Sequence, residues 1–339
     1  MPETLSHHST LGATARAMLS RDADSMYWMA RYIERAEHVA RILLINSNLL
    51  MDVGDLAPNL QQRQWEGVLS ILRLHESDVP EDDVAGLIDH RIRQYMAFDA
   101  ENPSSLLNCL TRARENARAI RENISAEMWE NINGLYWSIR GDDARQRFDE
   151  SPEEFCRAIM MGSMLFQGLT DQTLAHDQPW LFTQVAKYLE RVDVTARVIE
   201  TKYAILGSGA DPATADTALR NIHWMAVLRS CCSIEAYRKS HIGEMDPVRV
   251  ASFLILHRTF PRSIRFCVEH ARESMRTIRT QTNAVAIDPA ERILGRLAAQ
   301  LEYAEMGEVL ERGLIDYLQN IQTQVAQAAL AIQNTYFRH

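Results

Sequence analysis

No stretch of this sequence is apolar for the ~20 residues that a membrane-crossing helix requires, so the residues offer no spanning segment. Cysteine is sparse. The five thiols, Cys109, Cys156, Cys231, Cys232 and Cys267, are odd in number and form no C-x-x-C pair. That pattern argues against a disulfide framework and for reduced thiols in a cytoplasmic protein. Glycine (14) and proline (10) are also few, and they fall at breaks rather than inside periodic runs. Basic residues are outnumbered, 36 against 45 acidic, for a formal net charge of −9. Such a balance argues against a general nucleic-acid binder and against attachment to anionic membranes by charge. No P-loop, G-x-G-x-x-G or G-x-S-x-G occurs, which removes the commonest phosphate-binding and nucleophile signatures. Residues 1–17 are polar, carry His7-His8, and lack the apolar core of a signal peptide. They read as a mobile extension.

What is present is a pattern written twice. Ala30-Arg31-Tyr32-Ile33-Glu34-Arg35-Ala36-Glu37 runs on to Ala40-Arg41-Ile42, and Ala186-Lys187-Tyr188-Leu189-Glu190-Arg191-Val192-Asp193 runs on to Ala196-Arg197-Val198. Six of the thirteen positions are identical. Met29, Ile33, Ala36, Ala40 and Leu43 form an apolar stripe at helical spacing, answered by Val185, Leu189, Val192, Ala196 and Ile199. Trp65 to Leu69 is matched by Trp224 to Leu228, and Pro103 to Arg121 by Pro261 to Arg279. Three blocks in one order imply a tandem duplication of a unit much longer than solenoid repeats.

Taken in order, the chain is expected to be all-α. Ser20 or Asp22 caps a long first helix reaching about Met51. A helix follows around Trp65, then a loop from His75 to Pro80, then a helix from Glu81 to about Phe98. Asn102-Pro103, Ser151-Pro152, Asp211-Pro212, Asp246-Pro247 and Asp288-Pro289 each read as an N-cap followed by proline at the first helical position. Glu154, three residues after Ser151, extends that start into a capping box. No alternating strand pattern stands out. The expected architecture is a duplicated helical bundle with about six helices per repeat, related by a pseudo-two-fold axis. The repeats are placed at 18–176 and 177–339, packed together as one domain. The last helix is expected from about Gly307 to Phe337.

Several residues could carry chemistry. Glu34-Arg35 and Glu190-Arg191 adjoin the buried stripes, and buried charges need partners. They serve either as cross-helix ion pairs or as a ligand site. Glu37 with Arg41, and Asp193 with Arg197, are i, i+4 pairs expected on the helix surface. Arg114, Arg118 and Arg121, like Arg272, Arg276 and Arg279, stand at i, i+4, i+7 along one face. They are either internal ion-pair partners or an anion site. A di-iron centre is disfavoured, because the motif helices lack Glu-x-x-His and His38 is matched by Val194. No metal and no cofactor is expected. Cys109 and Cys267 read as packed core thiols, and Trp129, Tyr136 and Trp137 as core aromatics.

Met18-Leu19-Ser20-Arg21, then Met26-Tyr27-Trp28-Met29 leading into the first Glu-Arg motif, resembles the opening of the bacterial alpha-E family. Ser125-Ala126-Glu127-Met128-Trp129, Phe260-Pro261-Arg262-Ser263 and Tyr188-Leu189-Glu190-Arg191 are similar to it as well. The resemblance covers nearly everything from Met18 onward. It implies an all-helical protein encoded beside, or fused to, a circularly permuted ATP-grasp protein, often with a transglutaminase-like protease nearby. The motif residues carry over without roles, with Tyr32, Tyr188, Arg41 and Arg197 as further binding candidates. Two functions are then in view. One is a non-catalytic helical partner that binds the ligase or its peptide substrate. The alternative is an enzyme of peptide or amide modification, with paired glutamates as acid and base and the arginines as anion holders. Neither nucleic acid nor membrane is expected as a partner.

Overall fold

A computed structural model of the chain describes residues 18–53, 58–80, 88–207, 217–241, 243, 245–282 and 286–337. The expected N-terminal extension and the Asp211-Pro212 start lie outside them. The described residues form fifteen α-helices and no strand. The first group is α1 (Ser20–Val53), α2 (Pro58–Ile71), α3 (Ile88–Phe98), α4 (Leu106–Ala119), α5 (Ala126–Arg140), α6 (Ala144–Glu150) and α7 (Pro152–Thr173). The second is α8 (Gln178–Gly207), α9 (Thr217–Ser230), α10 (Ile234–Ser240), α11 (Pro247–Leu256), α12 (Ile264–Gln281), α13 (Pro289–Glu302), α14 (Met306–Arg312) and α15 (Leu314–Tyr336). Among the described residues, seven and eight helices thus stand where about six per repeat were expected. None is long and apolar enough to cross a membrane.

The two motif helices are the spine. At a rise of 1.5 Å per residue α1 is about 50 Å long and α8 about 45 Å. Every stripe residue from Met29 to Leu43 and from Val185 to Ile199 is buried. Contacts between the helices keep a nearly constant sequence separation. Met18, just before α1, donates its N–H to Gln178 Oε1 across 160 positions, and Arg35 reaches Glu190 across 155. The two helices therefore run side by side in the same direction. Around them, α4 and α7 pack on α1, while α12 and α15 pack on α8. The short arms cross over, α2 against α8 and α9 against α1. At the N-terminal end Phe337 and Tyr336 close the spine against Tyr27 and Phe182.

Among the described residues, side-chain caps open α4, α5, α11, α12 and α13, and several expected boundaries move. The start read at Asn102 belongs to Ser105, whose Oγ accepts from the Asn108 N–H at 3.1 Å. Asn102 instead tightens the turn, accepting from Ser104 N–H and donating to the Tyr95 carbonyl. Ser263 caps α12 in the same manner as Ser105 caps α4. Asp246 and Asp288 cap as expected. Ser151 does not, because its N–H closes the end of α6 on the Arg147 carbonyl and its side chain makes no cap bond. The loop after His75 contains a 3₁₀ turn, Glu76–Asp78. The single helix expected from Gly307 breaks at Gly313, whose φ of +102 suits glycine alone and parts α14 from α15.

Candidate functional site

The motif residues meet at the centre of the spine. Arg191 donates from Nε to Glu34 Oε1 at 2.6 Å and from Nη2 to Oε2 at 3.2 Å. Reciprocally, Arg35 donates to both oxygens of Glu190 at 2.7 and 3.1 Å. Each motif thus supplies the glutamate for the other's arginine, in the two-pronged geometry that makes guanidinium–carboxylate pairs strong. Glu34 and Glu190 are only 2 and 1 % exposed. The network extends outward. Arg31 reaches Glu190 at 2.7 Å, Gln167 donates to Glu34, and Arg262, from the turn before α12, lies 3.1 Å from Glu37 and 3.5 Å from Glu34. Arg41 pairs with Glu37; Arg197 pairs with Asp193 and donates to the Ile71 carbonyl, while Arg73 approaches Asp193 at 3.2 Å.

Of the Glu37–Arg41 and Asp193–Arg197 pairs, expected on the surface, Glu37, Arg41 and Asp193 are buried and Arg197 is half-buried. The physical reason is the crossover of α2 and α9, which covers the flank of each spine helix beyond its apolar stripe. Arg262 and Arg73 were missed altogether. They arrive from turns remote in sequence, and the only local signal was Phe260-Pro261-Arg262-Ser263.

Burial alone would push these carboxyls up. The opposing arginines win: Arg35 and Arg31 hold Glu190 well below the carboxylate range, Arg191 and Arg262 lower Glu34, and Arg262, His38 and Arg41 bring Glu37 down to about 2. Arg35 rises in turn through Glu190. His38 sits between Glu34 and Glu37, yet burial outweighs both and lowers it to about 4. The imidazole is therefore neutral near pH 7.

Glu34, Glu37 and His38 bring ligand atoms within 4.8 Å of one another, which is metal-like spacing. Four carboxylates of the network nevertheless face seven arginines. A divalent ion at Glu34 would lie against Arg191 and Arg262, so the electrostatics favour the ion-pair network over a cation.

The other candidates are not gathered here. Tyr32 accepts from Arg112 at 3.2 Å and lies beneath the Arg35 guanidinium. Tyr188 packs on Phe266 and His270 beside Lys187, and burial pushes its hydroxyl up to about 12. Arg114 donates to Asn133 and stacks 4.6 Å from the Tyr136 ring, with Trp129 and Trp137 alongside. Those aromatics were expected in the core, yet Trp137 is 59 % exposed. They sheathe an arginine instead. Arg118 pairs with Glu115, and Arg121 lies past the end of α4, over Trp129. Arg272 lies over Gly295, Arg276 pairs with Glu273, and Arg279 with Glu291 at 2.6 Å. The two arginine sets are dispersed among local partners. Cys109 and Cys267 are fully buried, and burial raises both thiols to about 12.

Comparison with known proteins agrees with the helical architecture. The chain is 21 % identical over 273 residues to the uncharacterized protein Mb2597 of Mycobacterium bovis and to the uncharacterized protein Rv2567 of Mycobacterium tuberculosis. The match takes in 76 % of this chain and 30 % of each relative, so the chain spans less than a third of the length of those curated relatives. No solved structure matches it significantly. A family model described as a predicted alpha-helical domain with a conserved ER motif matches residues 18–337, and the chain belongs to that family, Alpha-E.

Proposed function

We propose that the two Glu-Arg motifs are a structural lock, and that the protein is a non-catalytic helical partner in a peptide or amide ligation system. Its role is to bind an ATP-grasp ligase or the ligase's peptide substrate. One observation supports the structural, non-catalytic part of this reading: both motif glutamates are buried, engaged by two-pronged arginine contacts and held below the ordinary carboxylate range by those arginines. A general acid or base needs a pKa near the working pH and reach to a substrate proton. Glu34 and Glu190 have neither. The greater length of the mycobacterial relatives supports a unit that works against further protein. The free cysteines are in keeping with a reducing, cytoplasmic setting.

The same proposal takes 18–176 and 177–339 as two copies of one unit, packed about an axis along the spine. Support comes from matched details. Ser105 and Ser263 make the same cap, and Arg73 and Cys232, each eight residues past its tryptophan, share a left-handed backbone. The α1–α4 and α8–α12 packings correspond, as do the two crossovers. The test is recovery of the tagged chain from its native host at physiological salt. Stoichiometric recovery of an ATP-grasp protein is expected. A clean preparation without it, or amide turnover by the isolated chain that Glu34→Gln abolishes without lowering its melting temperature, overturns the proposal.

A further inference from the structure

A second polar cluster is buried at the far end of the spine. Asn46 on α1, Gln64 on α2, Lys202 on α8 and His223 on α9 are each at most 5 % exposed. Asn46 and Lys202 lie twelve residues beyond Glu34 and Glu190, about 18 Å along their helices, and so at one level of the parallel pair. The cluster is therefore separate from the Glu-Arg network. Lys202 Nζ donates to Gln64 Oε1, and the Lys202 charge helps hold His223 neutral.

The bonding in this cluster is incomplete. Among the described residues, Gln64 Nε2, His223 Nδ1 and both amide atoms of Asn46 are buried and find no partner. Lys202 is one of only three lysines in the chain. Burial lowers its ammonium, and no carboxylate among the described residues pairs with it. Buried polar groups are normally bonded and buried charges normally paired. An ordered water can satisfy an amide, but it brings no charge. What is missing is a group with several acceptor oxygens and a negative charge. Asn46 Oδ1, an acceptor without a donor, adds room for one O–H.

We propose that Lys202, Gln64, His223 and Asn46 form a binding site for a small oxyanion, either phosphate or a carboxylate. The anion neutralises the ammonium and accepts from the unbonded Gln64 and Asn46 N–H groups, while its hydroxyl, where it has one, donates to Asn46. Burial lowers the amine to about 8, so affinity falls as the pH rises past that value and the amine loses its proton.

The test is calorimetric titration of the full chain with inorganic phosphate and, separately, with acetate. Saturable one-to-one binding of at least one is expected, with affinity lower at pH 9 than at pH 7. Phosphate binding alone identifies the inorganic ligand class, and acetate alone a carboxylate. Lys202→Met and Gln64→Leu should each weaken binding by about tenfold or more, the loss of a charged or neutral hydrogen bond, with helix content by circular dichroism unchanged. Should Lys202→Met fail to fold, Gln64→Leu and His223→Phe carry the comparison. Absence of saturable binding of both probes overturns the proposal. So does binding that survives these substitutions, since the anion then sits elsewhere.

Discussion

At the scale of single residues the molecule turns on charges that cannot reach water. Glu190 is held by Arg31 and Arg35 together, so Glu190→Gln leaves two guanidinium groups without their counter-charge. Breaking a buried pair from one side costs about 3–5 kcal/mol, and urea denaturation of Glu190→Gln should show a loss of that size. Arg73→Ala removes a side chain that is 59 % exposed, and its cost should stay under about 1 kcal/mol. Equal losses in the two variants would contradict the lock. His38 makes the network sensitive to acid. Its folded pKa of about 4 lies below the ordinary 6.5, so the unfolded chain takes up the proton first as the pH falls. The stabilisation is whole above 6.5 and is lost on the way down to 4. Glu37, at about 2 against 4.5, adds a further loss below 4.5 in the same direction. In His38→Val, which places there the residue found at Val194, melting temperature should change less between pH 6.5 and 4 than in the parent. An unchanged slope would mean that His38 does not feel its burial. The sequence could place Glu34 and Arg35 beside a buried stripe, because periodicity reports faces. It could not reveal Arg262 or Arg73, since no local pattern encodes which remote turn lands on a carboxylate.

At the scale of elements, what was legible was what local chemistry determines. The period of 3.6 predicted helices throughout, and Asp246 and Asp288 cap where an aspartate before proline should. The misreadings came where one residue serves two neighbours. Ser151 ends α6 and so cannot cap α7, and Asn102 braces a turn so that Ser105 caps α4. Trp129 and Tyr136 have core-like spacing, yet the partner they cover is Arg114, whose stem and guanidinium accept aromatic faces. Gly313 is the clearest missed break. Its positive φ and the Asp316 carboxylate 3.3 Å from where a Cβ would stand make any side chain costly. Gly313→Val should destabilise the fold by about 1–3 kcal/mol, measured by thermal melting. A smaller effect would indicate that α14 and α15 merge into the one helix that the periodicity suggests.

At the scale of the whole molecule, the crossovers decide whether the halves can stand apart. Were each unit self-contained, α2 would cover α1 and α9 would cover α8. Instead α2 lies chiefly on α8 and α9 on α1, and the buried glutamate of each motif finds its arginine in the other half. A fragment of residues 18–176 would expose the α1 face that α8 and α9 cover, and would leave Glu34 without Arg191 and Arg262. Its apolar loss and its uncompensated charge act in the same direction. The fragments 18–176 and 177–339, expressed separately, should therefore show helix without cooperative thermal unfolding. Mixed or co-expressed, they should associate and regain one transition. The Glu34→Gln form of the first fragment should associate more weakly, since its loss falls on a contact that exists only between the halves. Two fragments that each unfold cooperatively at the parent's temperature would show that the central pairs join finished domains. Recovery only on mixing would show that the Glu-Arg exchange is part of how either half folds.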